Sequence, residues 1–253
     1  MIANPNCTAA VLLMALAPLH REARAKRVVV ATYQAVSGKG ARAMEECRKQ
    51  TKDVLEGRPA VPHVFPRPIA FNLIPQVDDF APDGRTKEEI KVENETRKIL
   101  EDPSIRVDAT CVRVPVLRCH SEAVNVEFER PITPERAREL WRSAPGVVSM
   151  DDPAAGVYPT PLDAEGRDEI FAGRCRRSLV FERGLAFWCV GDQLRKGPPS
   201  TPSRSSRRPS APRARPMPPR AHAPAPDPKY RNPKYSYRWS RSVPPPPRRQ
   251  VAP

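Results

Sequence analysis

Hydrophobic and polar residues follow one another along the chain in patterns that predict strands more often than helices. An unbroken β-branched run at 28–32 predicts a strand that is buried on both faces. Alternation over 105–114 and again over 123–128 predicts two half-buried strands. Shorter apolar segments predict three further strands, over 146–150, 169–175 and 185–190.

The first predicted helix lies near the N-terminus. The apolar run 9–17 follows a Pro-Asn turn, so we expect a buried helix that begins near Cys7 and ends near Pro18. The small residues of 34–40 then predict a turn between the first strand and a second helix over 41–55, which is rich in Glu, Lys and Arg.

Two further helices are predicted by their capping residues. Thr86 with Glu89 three residues later forms a capping box, and the helix that it opens is expected to end near Pro103. Thr133, followed by a proline at the first helical position, predicts a helix over 135–142.

Strands therefore outnumber helices, and most neighbouring strands have no helix between them. This pattern favours an α+β fold over a doubly wound parallel sheet, with helices packed on one face of a mixed, largely antiparallel sheet. The proline-rich segment 58–85 is predicted to be a loop. We expect residues 1–197 to form this domain.

The composition changes abruptly after Gly197. Of the chain's net charge of +14, residues 198–253 carry +12, from thirteen Lys and Arg and one Asp, which leaves only +2 for residues 1–197. Such a Pro/Arg-rich segment cannot bury a core, so a disordered basic tail is predicted. Four aromatic residues among the basic ones could stack on single-stranded nucleic acid, but their spacing matches no standard recognition module, and solvated disorder is favoured. They are Tyr230, Tyr235, Tyr237 and Trp239.

The six cysteines are scattered, without CxxC pairs or zinc-type spacing, which indicates a reducing compartment and predicts no metal site. The apolar run 9–17 is shorter than the ~20 residues that span a bilayer, and no basic residue precedes it. Neither a membrane segment nor a signal peptide is expected, so the sequence predicts a soluble intracellular protein.

Three features carry candidate chemistry. Cys7 lies where a helix should begin, and a helix N-terminus can lower a thiol pKa below its usual value of about 8.5; a small buried hydrophobic residue is the alternative. Glu88 and Lys91 are three residues apart, a spacing typical of a solvated surface pair. The glycines at 38 and 40 are too few for a dinucleotide fingerprint and indicate a plain strand-to-helix turn.

Six motifs in a fixed order carry a resemblance to a known family. They are Ala-Asn-Pro-Asn-Cys at 3–7, Thr-Tyr-Gln-Ala-Val-Ser-Gly at 32–38, Ala-Phe-Asn-Leu-Ile-Pro at 70–75, Glu-Thr-Arg-Lys-Ile-Leu at 95–100, Arg-Val-Pro-Val-Leu-Arg-Cys-His-Ser-Glu-Ala at 113–123 and Tyr-Pro-Thr-Pro-Leu-Asp at 158–163. Over residues 2–197 this succession resembles the aspartate-β-semialdehyde dehydrogenases.

The resemblance implies a domain like the C-terminal domain of glyceraldehyde-3-phosphate dehydrogenase, and a homodimer. The implied activity is NADPH-dependent reductive dephosphorylation of β-aspartyl phosphate to aspartate semialdehyde, in lysine, threonine and methionine biosynthesis.

The resemblance also implies catalytic roles. Cys7 matches the nucleophile, which expels phosphate from the acyl phosphate and holds a thioester. His120 matches the acid/base, a role that suits an imidazole because its pKa lies near neutrality. Gln34 matches the residue that holds the substrate and its intermediate.

Further positions match binding residues of the family. Arg113 matches the residue that grips the substrate α-carboxylate, which suits a bidentate guanidinium. Glu88 and Lys91 match positions that bind the substrate amino group and the phosphate, so the resemblance overrides the surface-pair interpretation. The positions that match contacts to the nicotinamide end of the cofactor are Ser37, Gly38 and Gln193. The other five cysteines match no catalytic position, and core packing is expected for them.

The sequence departs from the family at both ends. The family's Rossmann domain, with its glycine-rich loop and phosphate-binding arginine, has no counterpart before Ile2. After 195–197, Pro-Pro-Ser-Thr stands where relatives continue into an amphipathic helix. We therefore expect the catalytic and dimerisation half of an enzyme, from an incomplete gene assignment and inactive by itself. The compartment is expected to be the cytoplasm, or the plastid stroma in a photosynthetic eukaryote.

A second hypothesis stays open at this point. The chain could be a non-catalytic dimerisation module whose basic tail binds nucleic acid or acidic partners. It predicts salt-sensitive binding to nucleic acid that disappears when residues 198–253 are removed. Binding at low salt that is no tighter than that of the truncated chain would contradict it.

Overall fold

The structure is a computed structural model and describes residues 4–196. Its helices are α1 (Cys7–Ala23), α2 (Ala41–Leu55), α3 (Lys87–Ile99), α4 (Pro134–Ser143), α5 (Pro161–Ala164) and α6 (Gln193–Lys196), with a 3₁₀ helix at Val36–Lys39. Its strands are β1 (Ala25–Ala35), β2 (Arg106–Val114), β3 (His120–Phe128), β4 (Val147–Ser149), β5 (Ile170–Arg177) and β6 (Gly184–Gly191). The predicted tail at 198–253 lies outside the described residues.

The strands form one mixed sheet in the order β2-β1-β3-β6-β5-β4. β1 pairs with β2, and β4 with β5, in parallel, whereas the three central pairings are antiparallel. The predicted α+β class and the mixed, largely antiparallel sheet are confirmed.

Helix α1 packs across the covered face of the sheet, and its apolar side chains form the centre of the core. Leu12, Leu16 and Leu19 are fully buried. Trp141 of α4 closes this core: its indole N–H donates to Ala15 O at 2.8 Å, and its ring meets Phe187 edge-on at 5.3 Å. This packing holds the N-terminus of α1 at a defined place above the sheet.

The predicted end of α1 near Pro18 is wrong, because the helix continues through this proline to Ala23. Proline removes one intrahelical hydrogen bond, but the turn that follows it buries Leu19 and Ala23 completely. The helix ends at Arg24, whose φ is 57° and whose N–H donates to His20 O. Tertiary burial therefore overrides the local helix-breaking signal.

The predicted first strand is too short. β1 reaches Ala35 because its last residues keep their register with β2, where Gln34 lies opposite Arg113. Gln34 therefore lies in a strand and not in the predicted turn. α3 ends at Ile99, a little before the predicted position, and the short helices α5 and α6 were not predicted.

The segment between α2 and α3 is the loop that its prolines predict, and α2 holds it in place. The Glu46 carboxylate accepts from His63 N at 2.9 Å and Val64 N at 2.5 Å. Gln50 Oε1 accepts from Ile69 N at 2.8 Å. Two buried side chains of α2 thereby fix a loop that contains none of the described strands. This loop forms one wall of the cleft described below.

Within residues 4–196, no helix is both long enough and apolar enough to cross a bilayer.

We expect Trp141→Ala to lower the free energy of unfolding by about 3–5 kcal/mol, because it removes a fully buried ring and its hydrogen bond. Urea denaturation followed by circular dichroism measures this. Leu179→Ala is the control: Leu179 is completely exposed, so its truncation should change stability by less than about 0.5 kcal/mol. Equal effects of the two substitutions would contradict the described core.

Candidate active site

Cys7 is the first residue of α1, as predicted. Asn6 caps the helix, with its side-chain oxygen accepting from Thr8 N at 2.9 Å and Ala9 N at 3.2 Å. The cap satisfies two of the four free N–H groups that a helix start exposes. It also fixes the backbone at the start of the helix, where Cys7 lies.

Glu88 of α3 ties this helix start to the sheet. Its carboxylate accepts from Asn6 Nδ2 at 3.0 Å, from Thr8 Oγ1 at 3.4 Å and from Gln34 Nε2 at 3.0 Å. Glu88 is only 5% exposed, so the surface-pair interpretation from spacing is wrong for this residue. Its neighbour Glu95 is half-buried and accepts from Asn6 N at 2.6 Å.

His120 is the first residue of β3 and is completely buried. Its Nε2 lies 3.4 Å from Cys7 Sγ, and its Nδ1 accepts from Ala35 N at 3.1 Å. The structure therefore places the two residues that the sequence predicts as nucleophile and acid/base in direct contact, although 113 positions separate them.

Arg113 approaches from β2 and is buried as well. Its Nη1 donates to Ala35 O at 2.7 Å. No carboxylate lies within salt-bridge distance of this guanidinium among the described residues. An unpaired buried cation facing a cleft is suited to bind a carboxylate.

The thiol of Cys7 is not activated in this state. Burial, followed by the negative charge of Glu88, raises the pKa of Cys7 to about 11, although Thr8 and Arg113 pull it down. The expectation of a lowered pKa is therefore wrong, because burial is the largest contribution to the shift. Burial and then Arg113 lower the pKa of His120 to about 3, so the imidazole is neutral at pH 7.

Lys91 has partners of its own. Its Nζ donates to Asp78 Oδ2 at 2.7 Å and lies 3.7 Å from Glu88 Oε2. The bond to Lys91 is the main cause that lowers the pKa of Asp78. An anion that binds Lys91 must therefore compete with Asp78.

Of the three predicted cofactor-contacting residues, Gly38 lies beside the imidazole, and Ser37 and Gln193 contact each other. Gln193 donates to Ser37 Oγ and accepts from Cys119 N at 3.0 Å. The side chains of Gln193 and Ser37 therefore already have hydrogen-bond partners within the protein. A Cβ on Gly38 would lie 2.8 Å from Arg113 Nη1 and 3.2 Å from His120 Nε2. Only glycine leaves open the space between these two groups.

These residues surround one cleft of about 640 Å³. Six of the nine predicted residues line it: Cys7, Gln34, Gly38, Glu88, Lys91 and Arg113. His120 contacts Cys7 but does not line the cleft, and neither do Ser37 and Gln193. Sequence reasoning missed further lining residues, among them Asn6, Lys39, Phe65, Asp78 and Asp79. Asn6 could have been found as a capping residue, whereas the others lie in segments with no local signal.

The remaining five cysteines are buried, in agreement with the expected core packing. Within residues 4–196, no group of three His, Cys, Asp or Glu side chains could hold a metal ion.

We expect Glu88→Gln to lower the pKa of Cys7, because it removes a carboxylate charge that raises it. At pH 8 the rate of alkylation by iodoacetamide should rise by up to about tenfold, since one pKa unit is a factor of ten in thiolate. Glu95→Gln is the matched control: it removes a charge from the same helix and should leave the rate nearly unchanged. If both variants behave like the parent, Glu88 does not set the acidity of this thiol.

Comparison with known proteins agrees with this geometry. Residues 16–196 match the family described as "Semialdehyde dehydrogenase, dimerisation domain". The chain is 52% identical over 199 residues to the aspartate-semialdehyde dehydrogenase of Aquifex aeolicus, and 47% identical over 197 residues to that of Synechocystis. Each alignment covers 78% of this chain and 58% of the relative.

A solved structure is similar as well. It is that of aspartate semialdehyde dehydrogenase II from Vibrio cholerae complexed with ASA; the TM-score is 0.75 and the identity 42%, over 78% of this chain and 58% of that one. The chain thus spans less than two thirds of the length of these relatives. With the family matched over most of the described residues, the chain belongs to the semialdehyde dehydrogenases and contains their dimerisation domain.

Proposed function

We propose that this chain supplies the catalytic and dimerisation half of an aspartate-semialdehyde dehydrogenase of amino-acid biosynthesis. The proposed reaction is the NADPH-dependent conversion of β-aspartyl phosphate to aspartate semialdehyde and phosphate. The observation that carries it is the contact between Cys7 Sγ and His120 Nε2 at the floor of a cleft that also holds a buried guanidinium.

The substrate carries one group for each of three charged side chains. Arg113 would bind the α-carboxylate, which needs a cation that the protein leaves unpaired. Glu88 would bind the ammonium group, and Lys91 the phosphate. Glu88 and Lys91 have internal partners in the ligand-free site, so we expect substrate to replace the contacts of Asn6 and Asp78.

The first chemical step needs only residues of this chain. Sulfur forms a bond to the acyl carbon, the bond from that carbon to the phosphate oxygen breaks, and phosphate leaves with the electron pair. The thiol proton leaves through His120. The amide of Gln34, held by Thr32 at 3.0 Å and by Glu88, would hold the bound acyl group.

The cofactor NADPH supplies a hydride when it is bound. Ser37, Gly38 and Gln193 would contact its nicotinamide end; the missing side chain of Gly38 leaves space next to the imidazole of His120. The main cofactor contacts belong to the whole enzyme, of which this chain spans a part. The complete reaction is therefore proposed for the whole enzyme, and the acylation step for this chain.

The second face of the sheet fits the proposed homodimer. Val29 and Tyr33 of β1 are exposed there, and the Tyr33 ring lies 5.3 Å from Trp188. A groove of about 350 Å³, lined by Tyr158, Trp188 and neighbouring residues, runs along the same face. An apolar surface of this kind is typical of a subunit interface. The six free cysteines favour a reducing compartment, and we propose the cytoplasm or the plastid stroma.

The acylation step tests the proposed function without the cofactor. We expect β-aspartyl phosphate to cause a burst of phosphate release that approaches one phosphate per chain, because the thioester forms before any hydride is needed. Cys7→Ser should abolish the burst. Cys47→Ser is the matched control, since Cys47 is a buried thiol of α2 outside the cleft, and its burst should be unchanged. A burst that persists in Cys7→Ser would rule out this nucleophile.

A further inference from the structure

The main chain of Ala35 contacts both buried polar side chains behind Cys7. At the end of β1 its N–H donates to His120 Nδ1 at 3.1 Å, and its C=O accepts from Arg113 Nη1 at 2.7 Å. Ala35 is completely buried, so neither backbone group has solvent as an alternative partner. Breaking either contact would leave a buried polar group unpaired.

The contact with Ala35 decides where the imidazole carries its proton. An amide N–H can only donate, so the Nδ1 that faces it must present a lone pair. A neutral imidazole with a bare Nδ1 carries its proton on Nε2. That nitrogen lies 3.4 Å from Cys7 Sγ, and the proton therefore points at the sulfur.

The same two contacts fix the orientation of the ring. Turning the imidazole over would place one ring carbon against Ala35 N–H and another against Cys7 Sγ, so both hydrogen bonds would be lost. Burial and the neighbouring Arg113 lower the pKa of His120 to about 3. A neutral ring with a single proton agrees with that shift.

We propose that the N–H of Ala35 is a positioning group that holds His120 in the Nε2–H tautomer. In the ligand-free site the imidazole then donates a hydrogen bond to Cys7 and does not act as its base. For Nε2 to accept the thiol proton, Nδ1 would have to carry the proton of the ring. That proton would then face Ala35 N–H, with two donors opposed in a buried place. The ring must therefore leave Ala35 before it can accept the thiol proton at Nε2.

The catalytic meaning of this contact rests on the proposed function, but the tautomer does not. It can be measured without substrate, and phosphate release can be measured without knowledge of the tautomer. The two proposals can therefore fail separately.

The test is ¹⁵N NMR of the histidine ring nitrogens in the full chain at neutral pH, with His120→Asn used to assign the signals. We expect Nε2 to be protonated and Nδ1 bare, with at least about a tenfold excess over the other tautomer, because the alternative leaves a buried amide unpaired. A protonated Nδ1, in either a neutral or a doubly protonated ring, would overturn the proposal.

Three variants separate the effect of Ala35 from that of Cys7. Ala35→Gly keeps the N–H, and Cys7→Ala removes the sulfur; both should keep the excess of the Nε2–H form. Ala35→Pro removes the N–H at a φ of −59° that proline adopts, and the excess should fall. A switch of the proton to Nδ1 in Cys7→Ala, or an unchanged excess in a folded Ala35→Pro, would show that Ala35 does not set the tautomer.

Discussion

The buried carboxylate of Glu88 is the constraint on which the site depends. A largely buried carboxylate must be surrounded by donors, and Glu88 obtains them from the start of α1 and from β1. Asn6, Thr8 and Gln34 are thereby held around one point, and Cys7 lies among them. The same charge works against the thiol, since it raises the pKa of Cys7. In the ligand-free cleft the side chains are therefore in place, but the Cys7 thiol is still protonated. A cationic group bound at Glu88 would neutralise the carboxylate charge that raises the pKa of Cys7.

The opposite side of the site is built from main chain. Ala35 contributes no functional side chain, yet its N–H and C=O hold His120 and Arg113. Both groups are available because β1 ends there and the chain turns into the 3₁₀ helix at Val36–Lys39. Gly38 in that helix then passes so close to Arg113 and His120 that a methyl group would force one of these side chains to shift. The end of one central strand therefore arranges the cation, the imidazole and the open space between them.

Local signals in the sequence predicted local features well. The start of α1 at Cys7 and the capping box of Thr86 and Glu89 depend on neighbouring residues, and the structure has both. The end of α1 and the burial of Glu88 depend on contacts with distant elements, so the proline signal misplaced the first and the spacing to Lys91 misjudged the second. The side chains near Cys7 were predicted through ordered motifs and not through spacing. The sequence contains no signal for the contacts of Ala35, because main-chain hydrogen bonds do not depend on residue type.

The location of the acyl group tests the proposed site most directly. The full chain is mixed with β-aspartyl phosphate and quenched, and tandem mass spectrometry of its peptides identifies the modified residue. The geometry of the cleft predicts an aspartyl thioester on Cys7 and none on the five buried cysteines. An acyl group on any of these five cysteines, or an unmodified chain after phosphate has been released, would contradict it.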